Sequence, residues 1–391
     1  QIHRVYWFFF HTRGAFMQER FRKWFPLRAG ESGLVLTLGF ILFANYAAMG
    51  ITKVVSVSGF LSEVKDHYIL LVWAIDMVLL ILATGLQSLI VDRFDRVKLI
   101  GGVLLVFGIL YAILPLSFLS SWIPASVSYT LIYLLNDQQW RFFPVVFWIL
   151  VNDIYDPGTG RRVMPVIGIF AFIGTIVGLA IAAVDAQYQF GTVSLLLLNA
   201  SIFFVAFAIS QFRLRAVKLP PPIGAHEDTM KETLTEGWEF IKTVPAFAYL
   251  ALGMLAAGSV MTVLLFDVLS DAKLDLGTGF QAFYATYNLL IAIVSIFIQG
   301  FSNRIIEWLS LKRSFLIQPF MMLFSMIANF FIPGYMSSGI AQGVSRVTYD
   351  TVDLSARKAF QAMVPNENRG RVSIFLDSYL PSGGTIIGSL I

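Results

Sequence analysis

The stretch YILLVWAIDMVLLILATGLQSLIV, from Tyr68 to Val91, decides the class of fold, because Asp76 is its only charged residue. A helix needs about 20 apolar residues to cross the hydrocarbon core of a bilayer. The segment that follows it, DRFDRVK at residues 92–98, is strongly charged. Together the two segments predict a transmembrane helix that ends at a polar loop.

The composition of the whole chain extends this prediction. Of the 391 residues, 57% are hydrophobic and 13% are charged, whereas about 25% of the residues of an ordinary soluble domain are charged. We therefore predict an all-α integral membrane protein. The net charge of +4 comes from basic residues in the loops, so it indicates topology rather than a nucleic-acid partner. The chain has no cysteine and four scattered histidines, which excludes disulfides and thiol catalysis and predicts no metal site, no cofactor and no enzymatic activity.

Ten apolar stretches of spanning length and an incomplete eleventh are predicted. The first six form one group, and a long polar connection separates them from the rest. The spans are Glu31 to Val55, Tyr68 to Val91, Leu99 to Leu119, Tyr129 to Val151, Val163 to Val184, Gly191 to Phe212, Phe247 to Leu269, Phe280 to Gln299, Ser314 to Pro333, Ile340 to Met363 and Val372 to Ile391.

The basic residues between spans predict the orientation. The N-terminal segment and the even-numbered loops carry most of them, whereas the odd-numbered loops hold Lys65 and Lys273. Cytoplasmic loops carry the excess of Lys and Arg in membrane proteins. We therefore expect a multi-pass protein of the cell (inner) membrane with a cytoplasmic N-terminus.

These spans divide the chain into four regions. Residues 1–30 mix aromatic and basic side chains, as in an amphipathic helix that lies on the cytoplasmic leaflet and contacts membrane lipid. Residues 31–212 form an N-terminal six-helix bundle, residues 213–246 a cytoplasmic linker, and residues 247–391 an incomplete C-terminal bundle. Because the chain starts at Gln1 and stops inside an apolar run, we expect a window on a longer polypeptide.

An internal repeat is indicated by glycines. Gly174 and Gly178 on the fifth span recur as Gly384 and Gly388 on the eleventh, six spans later. Small residues four apart let two helices approach closely. The basic residues after the second and eighth spans show the same offset. We interpret the chain as a duplicated six-helix unit, as in secondary transporters built from parallel repeats.

Charged residues inside the spans are the candidate functional residues, because each costs about 2.5 to 3.5 kcal/mol in a bilayer unless it is paired or hydrated. All but Asp76 are on spans one, four, seven and ten. Asp76 is either a helix-packing hydrogen-bond partner or a proton site, and Asp267 is expected at the interface. The predicted cavity residues are Lys53, Asp137, Arg141, Arg346, Asp350 and Asp353.

Each cavity residue has an alternative, purely structural explanation. Asp137 with Arg141, Arg346 with Asp350, and Asp353 with Arg357 are spaced i,i+4 and can neutralise one another on one helix. Lys53 has no carboxylate within a turn. It either faces the cavity or extends to the interface.

Asp92, Arg93 and Arg96, which follow the second span, resemble the loop motif of the major-facilitator superfamily, with Ser88 and Asp95 in place of its glycines. The resemblance implies a bundle of two six-helix halves whose first and fourth helices line a central cavity. It also implies that the three charged residues form a cytoplasmic gate.

Three further stretches resemble the ATP/ADP translocase family of bacteria and plastids. This resemblance implies a nucleotide or another phosphorylated solute, although Gly50, Ile51 and Asn136 replace charged residues of that family's pattern. The stretches are Asn45, Tyr46, Thr52 and Lys53; then Phe147, Trp148, Asn152, Asp153, Arg161, Arg162, Pro165 and Gly168; then Arg369, Arg371, Asp377, Ser382, Gly383 and Gly384.

The favoured hypothesis is a secondary transporter that works by alternating access on a small-molecule solute, with Lys53, Arg141 and Arg346 attracting an anion. Its carboxylates cancel much of that positive field, so an anion is not required by charge alone. The alternative is a non-transporting structural, assembly or sensor subunit that binds partner subunits in a larger membrane complex.

Overall fold

A computed structural model describes residues 28, 31–91, 94–215, 217, 238–239, 242–361, 363–364, 372–373 and 375–391. The described chain is helical, without strands. The main helices are α1 (Ser32–Glu63), α2 (Tyr68–Val91), α3 (Arg96–Ile113, continued by Pro115–Leu119), α4 (Ala125–Ile154), α5 (Pro157–Tyr188), α6 (Thr192–Arg213), α7 (Pro245–Leu276), α8 (Phe280–Leu309), α9 (Leu311–Phe331), α10 (Tyr335–Thr348) and α11 (Leu380–Leu390).

Two helices contain π turns that the sequence analysis did not predict. α10 continues through a π turn at Tyr349–Asp353 into the helix Leu354–Gln361, and α11 is preceded by a π turn at Phe375–Tyr379. Most helices also extend beyond their apolar cores; α1, for example, ends at Glu63 rather than Val55. Hydropathy marks the membrane-embedded part of a helix, and the hydrogen-bonded backbone continues past it.

Six helical segments of the described chain are long and apolar enough to cross a membrane, and one of them, Pro245–Ser302, includes α7 and most of α8. α2 contributes a shorter apolar segment, Tyr68–Thr84. α4 and α10 are not among these segments. Large hydrophobic side chains such as Phe172, Phe297 and Phe320 lie exposed on the outer faces of the bundle.

Corresponding helices of the two predicted halves pack alike. α1 packs against α5, and α7 packs against α11. A Cβ at Gly174 would lie 2.5 Å from the carbonyl oxygen of Phe43 on α1, and one at Gly384 would lie 2.7 Å from that of Leu255 on α7. Gly178 and Gly388 approach the same two helices one turn further on. α1–α4 and α7–α10 also pack as corresponding pairs.

The two halves, α1–α6 and α7–α11, meet along two seams formed by α5 with α8 and by α2 with α11, and α1 also contacts α8. Sequential helices run in opposite directions, so the bundle has two ends. We call the end with the α1–α2, α5–α6 and α7–α8 connections the odd-loop end and the opposite end the even-loop end.

Several predictions fall on residues that the structure does not describe. The N-terminal segment up to Leu27, most of the linker, the gate residues Asp92 and Arg93, and the third resembling stretch at Arg369 and Arg371 lie outside the described residues.

Candidate functional site

A central polar cluster lies between the two halves, with members from α1, α2, α4, α8 and α10. It combines charged side chains with tyrosines and neutral amides. Its members are Lys53, Asp76, Tyr133, Asp137, Gln138, Arg141, Tyr284, Asn288, Arg346 and Asp350.

Lys53 connects the two halves of the molecule. Its Nζ donates a 2.6 Å hydrogen bond to Oδ1 of Asn288 on α8. Arg346, Asp350 and Asp137 are the charged groups nearest to the ammonium. Lys53 therefore does not extend to an interface along its own helix, because its amine is directed across the seam.

Arg346 and Asp350 form the C-terminal side of the cluster. Arg346 Nε lies 2.6 Å from Oδ2 of Asp350, one turn along α10. Tyr284 and Tyr287 lie beside the same guanidinium, and the Tyr287 hydroxyl donates to Gln342 on α10. The arginine is thus neutralised by one carboxylate and enclosed by aromatic rings, while a third of its side chain stays accessible.

Asp76, Asp137 and Arg141 form the N-terminal side. Arg141 Nε lies 3.7 Å from Oδ2 of Asp137, too far for a hydrogen bond. Asp76 on α2 is fully buried, lies beside Asp137, and has Gln138 Nε2 3.5 Å from its Oδ1. Among the residues that the structure describes, none is a hydrogen-bond partner of Asp137 Oδ2, Arg141 Nε or Asp76 Oδ2. The charged groups on this side of the cluster therefore make only some of the hydrogen bonds that they could make.

The predicted cavity residue Asp353 lies at the end of the π turn, about a turn beyond Asp350 towards the even-loop end. It is buried, and its Oδ2 accepts a 2.8 Å hydrogen bond from Arg357 Nε. The Arg357 guanidinium stacks over the Tyr349 ring at 4.5 Å. Asp353 is therefore one partner of a buried ion pair with Arg357, and it does not lie beside Lys53.

A second group of polar residues, inside the N-terminal half, was not predicted by charge. Gln139 Nε2 donates to Asn45 Oδ1 at 2.9 Å, and Gln139 Oε1 accepts from the Tyr111 hydroxyl at 2.5 Å. Asn199 Nδ2 donates to Thr52 Oγ1 at 2.7 Å. All five side chains are buried, so the network joins α1, α3, α4 and α6. Asn45 and Thr52, which belong to the first stretch that resembles the translocase family, thereby have a structural role.

The second resembling stretch lines a groove of about 690 Å³ between α4 and α5 at the even-loop end. Trp148, Asn152, Pro165 and Gly168 belong to its wall, and the neighbouring Arg162 pairs with Glu31. Arg96, the described residue of the gate motif, places Nε 3.4 Å from Oδ2 of Asp153 on α4. Both ion pairs join helices of the N-terminal half.

The odd-loop end closes the cluster from one side. Gln281 Nε2 on α8 donates to Asp185 Oδ2 on α5 at 2.7 Å, and Lys273 Nζ on α7 donates to the carbonyl of Val64 at 2.7 Å. Ser270 donates to Asp66, and this hydrogen bond lowers the pKa of the Asp66 carboxyl. An apolar cluster that includes Leu61, Trp73, Ala182, Leu269 and Phe280 packs beneath these contacts.

Solved structures with the same arrangement of helices identify the fold. The nucleoside transporter NupG superimposes with a TM-score of 0.66 at 14% identity, over 91% of this chain and 89% of that one. A bacterial homologue of the iron transporter ferroportin in an inward-facing state gives 0.64 at 15% identity, over 93% of each chain. The fold is that of the major-facilitator transporters.

A third structure agrees with this assignment. A bacterial homologue of the human lysosomal transporter Spinster, in an inward-facing and unoccupied conformation, gives a TM-score of 0.64 at 13% identity, over 93% of this chain and 82% of that one. No protein-family model and no curated protein match the sequence. At these identities the likeness establishes the major-facilitator fold and leaves the substrate to be argued from the cluster.

Sequence reasoning missed the neutral members of the cluster. Tyr284 and Asn288, like the neighbouring Tyr287, carry no charge, so the cost of placing charge in a bilayer did not select them. Their spacing of three and four residues places them on one face of α8, and a search for polar residues at helical periodicity inside apolar spans would have found them.

Proposed function

We propose that the protein is a secondary transporter that works by alternating access, with the central polar cluster as its solute site. The observation that carries the proposal is the Lys53–Asn288 hydrogen bond at the seam between the halves, with Arg346 beside it. Transporters of this architecture bind solute near the midplane, where the halves meet. A lysine retained there instead of an apolar residue indicates that it binds something besides its own protein.

We further propose an anionic solute, and phosphorylated compounds first among anions. Lys53, Arg141 and Arg346 supply three cations, and Arg141 Nε has no hydrogen-bond partner. A guanidinium presents donors in a fork that matches a carboxylate or a phosphate. The resemblance of Asn45, Tyr46 and Lys53 to the translocase stretch makes ADP and ATP the first compounds to test.

The test compares Lys53→Gln with Lys65→Gln in proteoliposomes. Lys53→Gln is expected to keep the protein monodisperse, because glutamine can still hydrogen bond to Asn288, and to reduce uptake of labelled ADP, ATP or glycerol 3-phosphate at least tenfold. Lys65 is exposed between α1 and α2, so Lys65→Gln is expected to transport like the unchanged protein. If no anion is transported by the unchanged protein, the non-transporting scaffold hypothesis replaces this proposal.

We propose that the even-loop end faces the cytoplasm of the inner membrane. Lys312 and Arg313 flank the α8–α9 connection at this end, whereas the odd-loop end carries few basic residues. Lys65→Cys in whole cells should react with an impermeant thiol reagent and Lys312→Cys should react only after the cells are opened. The reverse pattern would contradict the orientation.

A further inference from the structure

Asp76 is a fully buried carboxyl group in a membrane-embedded helix bundle, and it has no cation of its own. Gln138 Nε2 lies 3.5 Å from Oδ1, and Oδ2 has no hydrogen-bond partner within the described part of the chain. An ionised carboxylate in an apolar interior costs far more free energy than a neutral one unless it is paired. The surroundings therefore favour a carboxyl group that carries a proton.

Asp137 supplies the acceptor that such a proton needs. It lies beside Asp76, and its Oδ2 also has no hydrogen-bond partner among the described residues. Two ionised carboxylates cannot donate to each other and repel at this range, so the pair is satisfied when it holds one proton between them. Asp76 is buried, but about a fifth of the Asp137 side chain is accessible. A proton can therefore reach the pair from the cluster through Asp137.

The charged and titratable groups around Asp76 are known for each helix packed against α2. α4 contributes Tyr133, Asp137 and Arg141, and α1 contributes Lys53, whose nearest carboxylates include Asp137. The chain from Ser378 to Ile391, which contains α11, has no charged residue. Asp377 is held by Lys358 and Gln361. Among these groups, Arg141 is thus the cation that lies nearest to Asp76.

We propose that Asp76 and Asp137 bind a single proton that is transported together with the solute, so that the protein is a proton–anion symporter. This inference rests on the proposed function, because an anion bound at Arg141 competes with Asp137 for that guanidinium. By linkage, a proton held by the pair therefore frees Arg141 for the anion. The proton comes from the water that reaches the cluster and returns to water on the other side, so no other reactant is required.

The proton site is tested without any substrate, by infrared spectroscopy of the purified full chain. At pH 7 the unchanged protein should show the carbonyl band of a protonated carboxyl group. Asp76→Asn should abolish that band, because the buried carboxyl group that holds the proton is removed. Asp137→Asn should shift the band without abolishing it, since Asp76 keeps its proton with an amide neighbour. Asp185→Asn is the control and should leave the band unchanged, because both carboxylate oxygens of Asp185 accept hydrogen bonds.

The coupling is tested in proteoliposomes with ADP, ATP and glycerol 3-phosphate. With the unchanged protein, a gradient of one pH unit, acidic outside, should drive about tenfold accumulation of the anion inside the proteoliposomes. This value assumes that one proton enters with each anion. In Asp76→Asn the gradient should have no effect on accumulation.

The outcomes separate the two proposals. A band that is absent at pH 7, or that persists in Asp76→Asn, overturns the proton site even if an anion is transported. A band lost in Asp76→Asn together with no anion transport supports the proton site and overturns the solute proposal. If Asp76→Asn does not fold, Asp76→Ser and the shift in Asp137→Asn decide the question.

Discussion

Glu31 and Arg162 form a two-point ion pair between the starts of α1 and α5. Arg162 Nη1 lies 2.7 Å from Oε2, Nη2 lies 2.5 Å from Oε1, and the Arg28 amide donates to Oε2 at 2.8 Å. The hydrogen bonds from Arg162 and then from the Arg28 amide lower the pKa of Glu31 from 4.5 to about 2. The residue lies just before the membrane-spanning part of α1, where the charge meets water.

This pair predicts a pH dependence of stability. A carboxylate with a depressed pKa stabilises the folded state fully above its unfolded pKa, here 4.5, and that stabilisation is lost as the pH falls through the folded pKa of about 2. Glu31→Gln should therefore lower the Tm of the detergent-solubilised protein at pH 7, and the difference from the unchanged protein should shrink between pH 4.5 and 2. Glu63→Gln, at the exposed far end of α1, is the control. A difference that stays constant across this range would contradict the role of the pair.

At this scale the sequence could identify the charged residues and their i,i+4 partners, but not the hydrogen bond of Lys53 to Asn288 on the other half. The cost of charge in a bilayer selected Lys53, Arg141 and Arg346, and in the structure Lys53 lies near Arg346 at the seam between the halves. The sequence could not distinguish the role of Asp353 from that of Asp350, since each is spaced i,i+4 from an arginine. The π turn that contains both residues, with Tyr349 stacked against Arg357, makes the environments of the two carboxylates differ.

Among the helices, the close approach of α1 to α5 and of α7 to α11 depends on glycine. A methyl group at Gly174 or Gly384 would meet backbone atoms of the neighbouring helix, which cannot move like a side chain, whereas one at Gly253 on α7 would meet nothing within 4 Å. Gly174→Ala and Gly384→Ala should each destabilise the protein by about 1–3 kcal/mol through overpacking. Gly253→Ala should be neutral or stabilise it by up to about 1 kcal/mol.

Thermal unfolding of the detergent-solubilised variants measures these differences. Equal Tm values for Gly174→Ala and Gly253→Ala would show that α1 and α5 can separate without cost.

The glycines could be predicted from the sequence because their spacing repeats six spans apart. The π turns at Tyr349–Asp353 and Phe375–Tyr379 were not, since they depend on packing around the helix rather than on a local residue pattern.

For the molecule as a whole, the described contacts across the seams have a consequence for movement. The odd-loop end is held by Gln281 with Asp185, by Lys273 with the Val64 carbonyl, and by the apolar side chains beneath them. Alternating access moves one half against the other around a fixed site. These contacts must therefore separate in each transport cycle if the cluster is to open at this end.

Cross-linking the odd-loop end should stop transport reversibly. The chain has no cysteine, so Asp185→Cys with Gln281→Cys introduces a single pair of thiols, one on each half, at side chains whose polar atoms lie 2.7 Å apart. A short bifunctional thiol reagent should reduce anion uptake at least tenfold, and reduction of the cross-link should restore it. Glu31→Cys with Arg162→Cys is the matched control, because both residues belong to the N-terminal half and move together. Its cross-link should leave uptake unchanged. Undiminished uptake by the Asp185–Gln281 cross-linked protein would show that solute passes without separation of α5 from α8, and alternating access at this seam would have to be abandoned.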